Sequence, residues 1–305
     1  MVAHGSRGTF VAERLPNVAS FALVFADEQA KGGWNRFWST VLREGQSWRD
    51  AAGRGFVPYF IAGADVRAAD HRRLCDDLTA GRLAGILYVS TPWYLADSPV
   101  MAARLPRVVI GGTSDDVALH GGSVIEWVEG IGPSARLCHQ LIRDGRKRIA
   151  ALVHRGFSEQ WREGLAEAQR AGLESRRSWW LGITPDPAGA VTARGIVRLL
   201  LDRPAAERPD ILFIGDDNLV PHATAGILDM SDLGIVVPRD LGVVAHANYP
   251  NPTRSAVPCR RFGIDARVLL EHALAEMEVL RSGAAPRWIH IEPATNDETG
   301  EGLSS

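Results

Sequence analysis

Two adjacent acids stand where a folded chain could use them on a ligand. Asp216 and Asp217 close an apolar run, Ile211 to Ile214, and open a helix-length segment. Leu233-Gly234-Ile235-x-Val237-Pro238-x-Asp240 follows, and then a second apolar run, Leu241 to Ala245. The order is strand, polar tip, helix and parallel strand. Open α/β sheets bind ligands at the carboxyl ends of their strands, which is where this tip lies. A carboxylate there can accept two charge-assisted hydrogen bonds from a ligand. It can instead cap the following helix by accepting from free backbone N–H groups.

Aromatic residues are the second resource. Trp34, Phe37 and Trp38 follow the first predicted strand, and Trp93 stands at the tip of a later one. An indole face packs well on the C–H face of a pyranose, offering apolar area with a polar edge. Core packing at helical spacing is the competing use. Asp27 closes the first strand as a hydrogen-bonding candidate, and His246 follows the second apolar run as a ligand contact or a solvated, hinge-lining residue.

Other chemistries find no residues to carry them. The nine histidines show no His-x3-His spacing, and the three cysteines (Cys75, Cys138, Cys259) show no Cys-x2-Cys. A zinc site is therefore not expected. Neither a Gly-x-Ser-x-Gly elbow nor a Walker loop occurs, and Gly111-Gly112-Thr113 is too short for a dinucleotide fingerprint. The expectation is a binding protein and not an enzyme, with no metal and no cofactor.

Composition sets the compartment and size. The chain has 305 residues, 46% of them apolar and 23% charged, enough for two lobes with substantial cores. A net charge of −2 gives no global attraction to nucleic acid or membrane. Scattered cysteines fit a reducing compartment. No apolar run approaches transmembrane length, and the segment MVAHGSRGTFVAERLP lacks the apolar stretch of a secretory leader. A cytoplasmic protein is expected.

The elements that must position these residues alternate. Strands are predicted at Ser20–Phe25, Phe56–Ala62, Ala84–Val89 and Arg107–Ile110, with helices near 34–51 and 68–80. A second series follows from about Ser123: helices at 131–143, 159–171 and 190–201, and strands at 148–153, 178–181, 211–214 and 241–245. A long helix at 264–282 and a short strand at 288–291 end it, and the polar tail from Ala294 is expected to fray. Strand–helix alternation implies parallel, doubly wound sheets, an α/β fold.

In order and spacing these segments resemble the LacI-type, periplasmic-binding-protein-like effector domain. The matching motifs are Leu83-Ala84-Gly85-Ile86-Leu87, Pro106-Arg107-Val108-Val109-Ile110 and Gly145-Arg146-Lys147-Arg148-Ile149-Ala150. Gly164 with Ala168-x-x-Ala171-Gly172-Leu173, Pro209-Asp210-x-x-Phe213 with Asp216-Asp217, and Leu233 to Val244 extend the match over residues 18–293. The resemblance implies two lobes, 18–121 plus 252–283 and 122–251 plus 284–297, enclosing a sugar or related small effector. Residues 298–305 would be a disordered tail. Gly5-Ser6-Arg7-Gly8-Thr9-Phe10-Val11-Ala12 resembles the last wing strand of a GntR-type winged helix-turn-helix, so that 1–16 is a wing remnant or a disordered leader.

The resemblance also implies roles. Asp217 matches the family's ligand-binding acid and Asp216 is left as the cap. Trp34 and Phe37 lie where the family often places aromatics against the ligand, and Trp93 occupies a later strand tip of the same lobe. Where the family usually has an arginine three residues before Gly164, this chain has Trp161, with Arg162 one position later, which puts a standard monosaccharide in doubt. His246-Ala247-Asn248 stands where two acids are frequent. The partners implied are a sugar or polyol effector, DNA through a winged helix-turn-helix, and a second copy in a homodimer, with no membrane. The rival assignment is a stand-alone periplasmic-type sugar-binding protein of a transport system.

Overall fold

The computed structural model describes residues 2–3, 9–10, 20–27, 36–61, 67–127, 142–155, 166, 169–170 and 172–297. The strands, in chain order, are β1 (Val2–Ala3), β2 (Thr9–Phe10), β3 (Ser20–Phe25), β4 (Gly55–Phe60), β5 (Leu83–Tyr88), β6 (Arg107–Ile110) and β7 (Ser123–Trp127). Then come β8 (Ile149–His154), β9 (Trp180–Ile183), β10 (Ile211–Ile214), β11 (Gly242–Tyr249), β12 (Arg260–Asp265), β13 (Trp288–Ile291) and β14 (Ala294–Asp297). The helices used below are α1 (Arg36–Ser47), α2 (Ala69–Thr79), α3 (Ser114–His120), α4 (Pro187–Leu201), α5 (Val220–Leu228) and α6 (Ala266–Arg281).

Two compact units emerge, one of residues 1–34, 41–126 and 267–290, the other of 35–40, 127–266 and 291–305. The first holds a sheet in the order β13-β7-β6-β5-β3-β4. Within it β4, β3, β5, β6 and β7 run parallel. The second holds β14-β12-β11-β10-β8-β9, parallel from β9 to β12 and closed by antiparallel β14. Counting strands within each unit, both parallel sheets have the order 2-1-3-4-5. The strand order reverses beside the first strand, and doubly wound sheets place ligands at the carboxyl side of that switch. The α/β, doubly wound expectation holds for both units.

Local sequence explains the elements. In the second unit Asp186 caps α4 by accepting from the Gly189 N–H at 2.8 Å, with Pro187 at the first helical position. The helix then buries Ala193, Val197, Leu200 and Leu201 against the core that β8, β10 and α5 share. Before β11, the Arg239 guanidinium and the Val236 N–H both bond Asp240 and hold its carboxyl at about 2. That contact accounts for the Val-Pro-x-Asp spacing seen in the sequence. In the first unit Glu276 of α6 is buried and accepts from Ser123 Oγ at 2.8 Å and from Arg287. A buried acid is tolerated because both oxygens are satisfied.

Two sequence expectations change. Residues 252–283 were expected together in the first lobe, yet Arg260–Asp265 forms β12 and pairs with β11 of the second sheet. Ala294–Asp297 was expected to fray and is instead strand β14, with Asp297 opposite Arg260. In the basic cluster that precedes β8, Arg146 donates to Asp210 O, Arg239 O and Pro238 O, and Arg148 binds Asp210. These cations brace the amino ends of the strands. Most of the helices expected at 131–143 and 159–171, with Trp161, and also Trp34 and residues 298–305, lie outside the described residues.

Candidate functional site

The site is built on the carboxyl rim of the second sheet. After β10, the Gly215 N–H donates to Leu152 O at 2.8 Å and keeps the chain in register with β8. Asp216 Oδ1 then accepts from Asn218 N at 2.8 Å and Nδ2 at 2.7 Å, an Asx turn that ends the extended run. α5 begins with Leu219 as its N-cap and has no side-chain cap. Neither acid caps that helix: Asp216 makes the turn before it, and Asp217 points elsewhere.

Asp217 is fully buried. Its Oδ1 accepts from Thr253 N at 3.0 Å and Thr253 Oγ1 at 2.7 Å, and its Oδ2 from Asn248 Nδ2 at 3.3 Å. Two guanidiniums attend it: Arg261 at 3.8 Å from Oδ1 and Arg36 at 3.5 Å from Oδ2. Arg261 on β12 is 1% exposed and among the largest fully buried side chains of the described residues. It also donates to Thr253 O at 2.8 Å and His246 O at 3.3 Å. Burying an arginine costs several kcal/mol unless a partner and hydrogen bonds offset it, and here Asp217 and two carbonyls do so. The loop 250–259 is thereby tied to the tip of β10.

His246 lies on β11 and is buried, not solvated. Its ring meets Phe262 edge-on at 5.5 Å, and Phe262 stacks on Phe213 at 5.3 Å. Asp217 and His246, both expected at the site, are therefore brought together through Arg261. Phe37 is half-buried on α1, in the part of that helix belonging to the second unit.

In the first unit Asp27 is half-buried just after β3. Trp93 follows β5 and is 74% exposed, its ring perpendicular to that of Tyr94 with centroids 5.9 Å apart. Core packing is therefore not its role. Tyr94 beneath it is buried, and burial pushes its phenol well above the ordinary range. Among the described residues no cluster of His, Cys, Asp or Glu could hold a metal ion.

Sequence reasoning missed Arg36, Asn248, Thr253 and Arg261. A signal for one of them was present. Arg260-Arg261 interrupts an otherwise apolar stretch, Ala256-Val257-Pro258-Cys259 before it and Phe262-Gly263-Ile264 after it. Charges inside a strand-like run must either face solvent or find a buried partner, and Asp217 was an acid still in search of one.

Two six-stranded, mostly parallel 2-1-3-4-5 sheets flanked by helices decide the architecture. The fold is that of LacI-type sensor domains. No protein-family model and no curated protein matches the sequence, whereas solved structures match the fold across nearly its whole length. A LacI family transcriptional regulator from Arthrobacter sp. FB24 in complex with lactose is 16% identical, with a TM-score of 0.66 over 93% of this chain and 100% of that one. A regulatory protein of the LacI family from Chloroflexus aggregans is 18% identical, with a TM-score of 0.65 over 92% and 99%. The transcriptional regulator CelR bound to cellobiose is 21% identical, with a TM-score of 0.62 over 95% and 86%. At such identities the LacI-type likeness is one of fold. Among the described residues no helix is long and apolar enough to cross a membrane.

Proposed function

We propose that this chain is the effector-sensing part of a transcription regulator and that it binds a sugar or related polyol at the rim organised by Asp217. One observation carries the proposal. A buried polar cluster gathers at the carboxyl end of β10, with Asp217 just past that strand, Asn248 near the carboxyl end of β11, Thr253 in the following loop and Arg261 at the start of β12, in a fold shared with regulators crystallised with lactose and with cellobiose. Doubly wound sheets recognise ligands at that end. An effector can shift regulation only by its differential affinity for two states of the protein.

The test is thermal unfolding against a panel of mono- and disaccharides, sugar phosphates and polyols. At about 100 times its Kd a ligand stabilises by roughly 2.7 kcal/mol, so one panel member should raise Tm by roughly 5–10 °C. No shift from any of them would sink the proposal.

DNA contact is proposed through a winged helix-turn-helix of the GntR type. Its support is the antiparallel pairing of Val2–Ala3 with Thr9–Phe10, as in a wing. A homodimer is proposed with it. Val191 and Leu199 of α4 and Leu228 of α5 are large apolar side chains left exposed, and exposed apolar surface is a candidate for association. Sedimentation velocity should give a dimer for the native chain and a monomer for Leu199→Glu. Equal sedimentation of the two would remove α4 from the interface.

A further inference from the structure

Asn248 stands at the carboxyl end of β11 and is 3% exposed. Its Nδ2 donates to Asp217 Oδ2 at 3.3 Å. A carboxylate only accepts, so it selects the NH2 side of the amide and turns Oδ1 away. The carboxylate itself cannot swing to change this, because Thr253 N–H and Oγ1 hold its other oxygen. The outcome is a buried amide oxygen with no donor among the described residues. Leaving such an acceptor empty is costly, and native structures rarely do so. Asp217 Oδ2, which holds the amide, is shared with Arg36, whose side chain is 47% exposed.

We infer that Asn248 Oδ1 accepts a hydrogen bond from the effector, and that Asp217 is a positioning residue that acts through it. This rests on the effector-binding proposal above and assigns the roles within it. The acid, fully engaged by Thr253, Asn248 and two arginines, does not meet the ligand; it aims the amide that does. The ligand must therefore present a donor at this point. A hydroxyl of a sugar or polyol qualifies. A carboxylate or phosphate dianion placed there would set acceptor against acceptor and is rejected.

The test is a chemical cycle on the full chain. Calorimetric titration uses the saccharide giving the largest thermal shift in a panel containing lactose and cellobiose, and then its monodeoxy series. With the native chain, removal of one particular hydroxyl should weaken binding by about 10- to 100-fold. In Asn248→Ala the parent saccharide should weaken by a similar factor, and that same deoxy analogue should bind no worse than the parent. Asn248→Ser, whose hydroxyl can still donate to Asp217, serves for the same comparison if the alanine variant does not fold. The proposal is overturned if every deoxy analogue loses as much affinity in the variant as in the native chain. Asn248 then only fills space or holds a water. If no saccharide binds the native chain, the effector-binding proposal itself falls and takes this one with it.

Discussion

Asp217→Ala should lower the unfolding free energy by about 3–5 kcal/mol, as read from urea denaturation. The reason lies in Arg261. Its guanidinium is 1% exposed and faces the Asp217 carboxylate at 3.8 Å. Removing the acid takes the nearby carboxylate from a buried positive charge, to which the carbonyls of His246 and Thr253 offer only partial charges. It also strands the N–H and hydroxyl of Thr253, which lose their acceptor. Asp217→Asn keeps an acceptor for Thr253 but not the charge, and should fall between the two. The decisive comparison is the double variant Asp217→Leu with Arg261→Met. Replacing both members of a buried pair by apolar groups can be nearly neutral, so the double variant should be more stable than either single one. Additive losses would show that the two side chains are not coupled. A consequence follows for mapping the site: loss of effector response in Asp217→Ala is evidence of a ligand contact only if the variant is folded.

Gly263→Ala should cost about 3 kcal/mol, at the upper end for overpacking. Gly263 of β12 lies opposite Ala247 of β11, and a Cβ built on it would sit 1.9 Å from the Ala247 carbonyl oxygen. That oxygen is backbone and cannot step aside as the end of a side chain would. To admit the methyl group β12 must move away from β11, and Arg261, two residues earlier, moves with it. A loss of stability with altered effector affinity is thus expected, read by urea denaturation and by titration. Gly195→Ala on α4 is the control. A Cβ there meets nothing within 4 Å, so the substitution should stabilise by about 0.5–1 kcal/mol through helix propensity. Equal effects at the two positions would refute the steric account.

Much of the architecture is legible in the sequence because its periodicities are strong. Ile211–Ile214, Arg107–Ile110 and Ser20–Phe25 are apolar runs bounded by turn residues, and each is a central strand of a parallel sheet. β12 escapes because its first two residues are arginines, and a hydrophobicity pattern cannot distinguish a paired buried guanidinium from a solvated one. β14 escapes because Ala-Thr-Asn-Asp has low strand propensity and is held only by its pairing with β12. The site was half legible. Asp217 could be found from its place at a strand tip. Its partners could not, since Asn248, Thr253 and Arg261 lie 31 to 44 positions later and meet it only through the parallel pairing of β10, β11 and β12. Trp93 reads in the sequence as a strand-tip aromatic that could equally pack in the core, and only the fold shows that it is exposed.

The four residues of β14 also protect the chain from itself. They occupy the outer side of β12 by antiparallel pairing, from Gly263 opposite Ala294 to Arg260 opposite Asp297. A bare strand edge offers a row of free N–H and C=O groups on which another chain can add a strand. Cut before Ala294, the protein would expose such an edge on the buried, apolar-flanked strand that carries Arg261. Its fate would then depend on concentration, with growth of intermolecular sheet competing against the native fold.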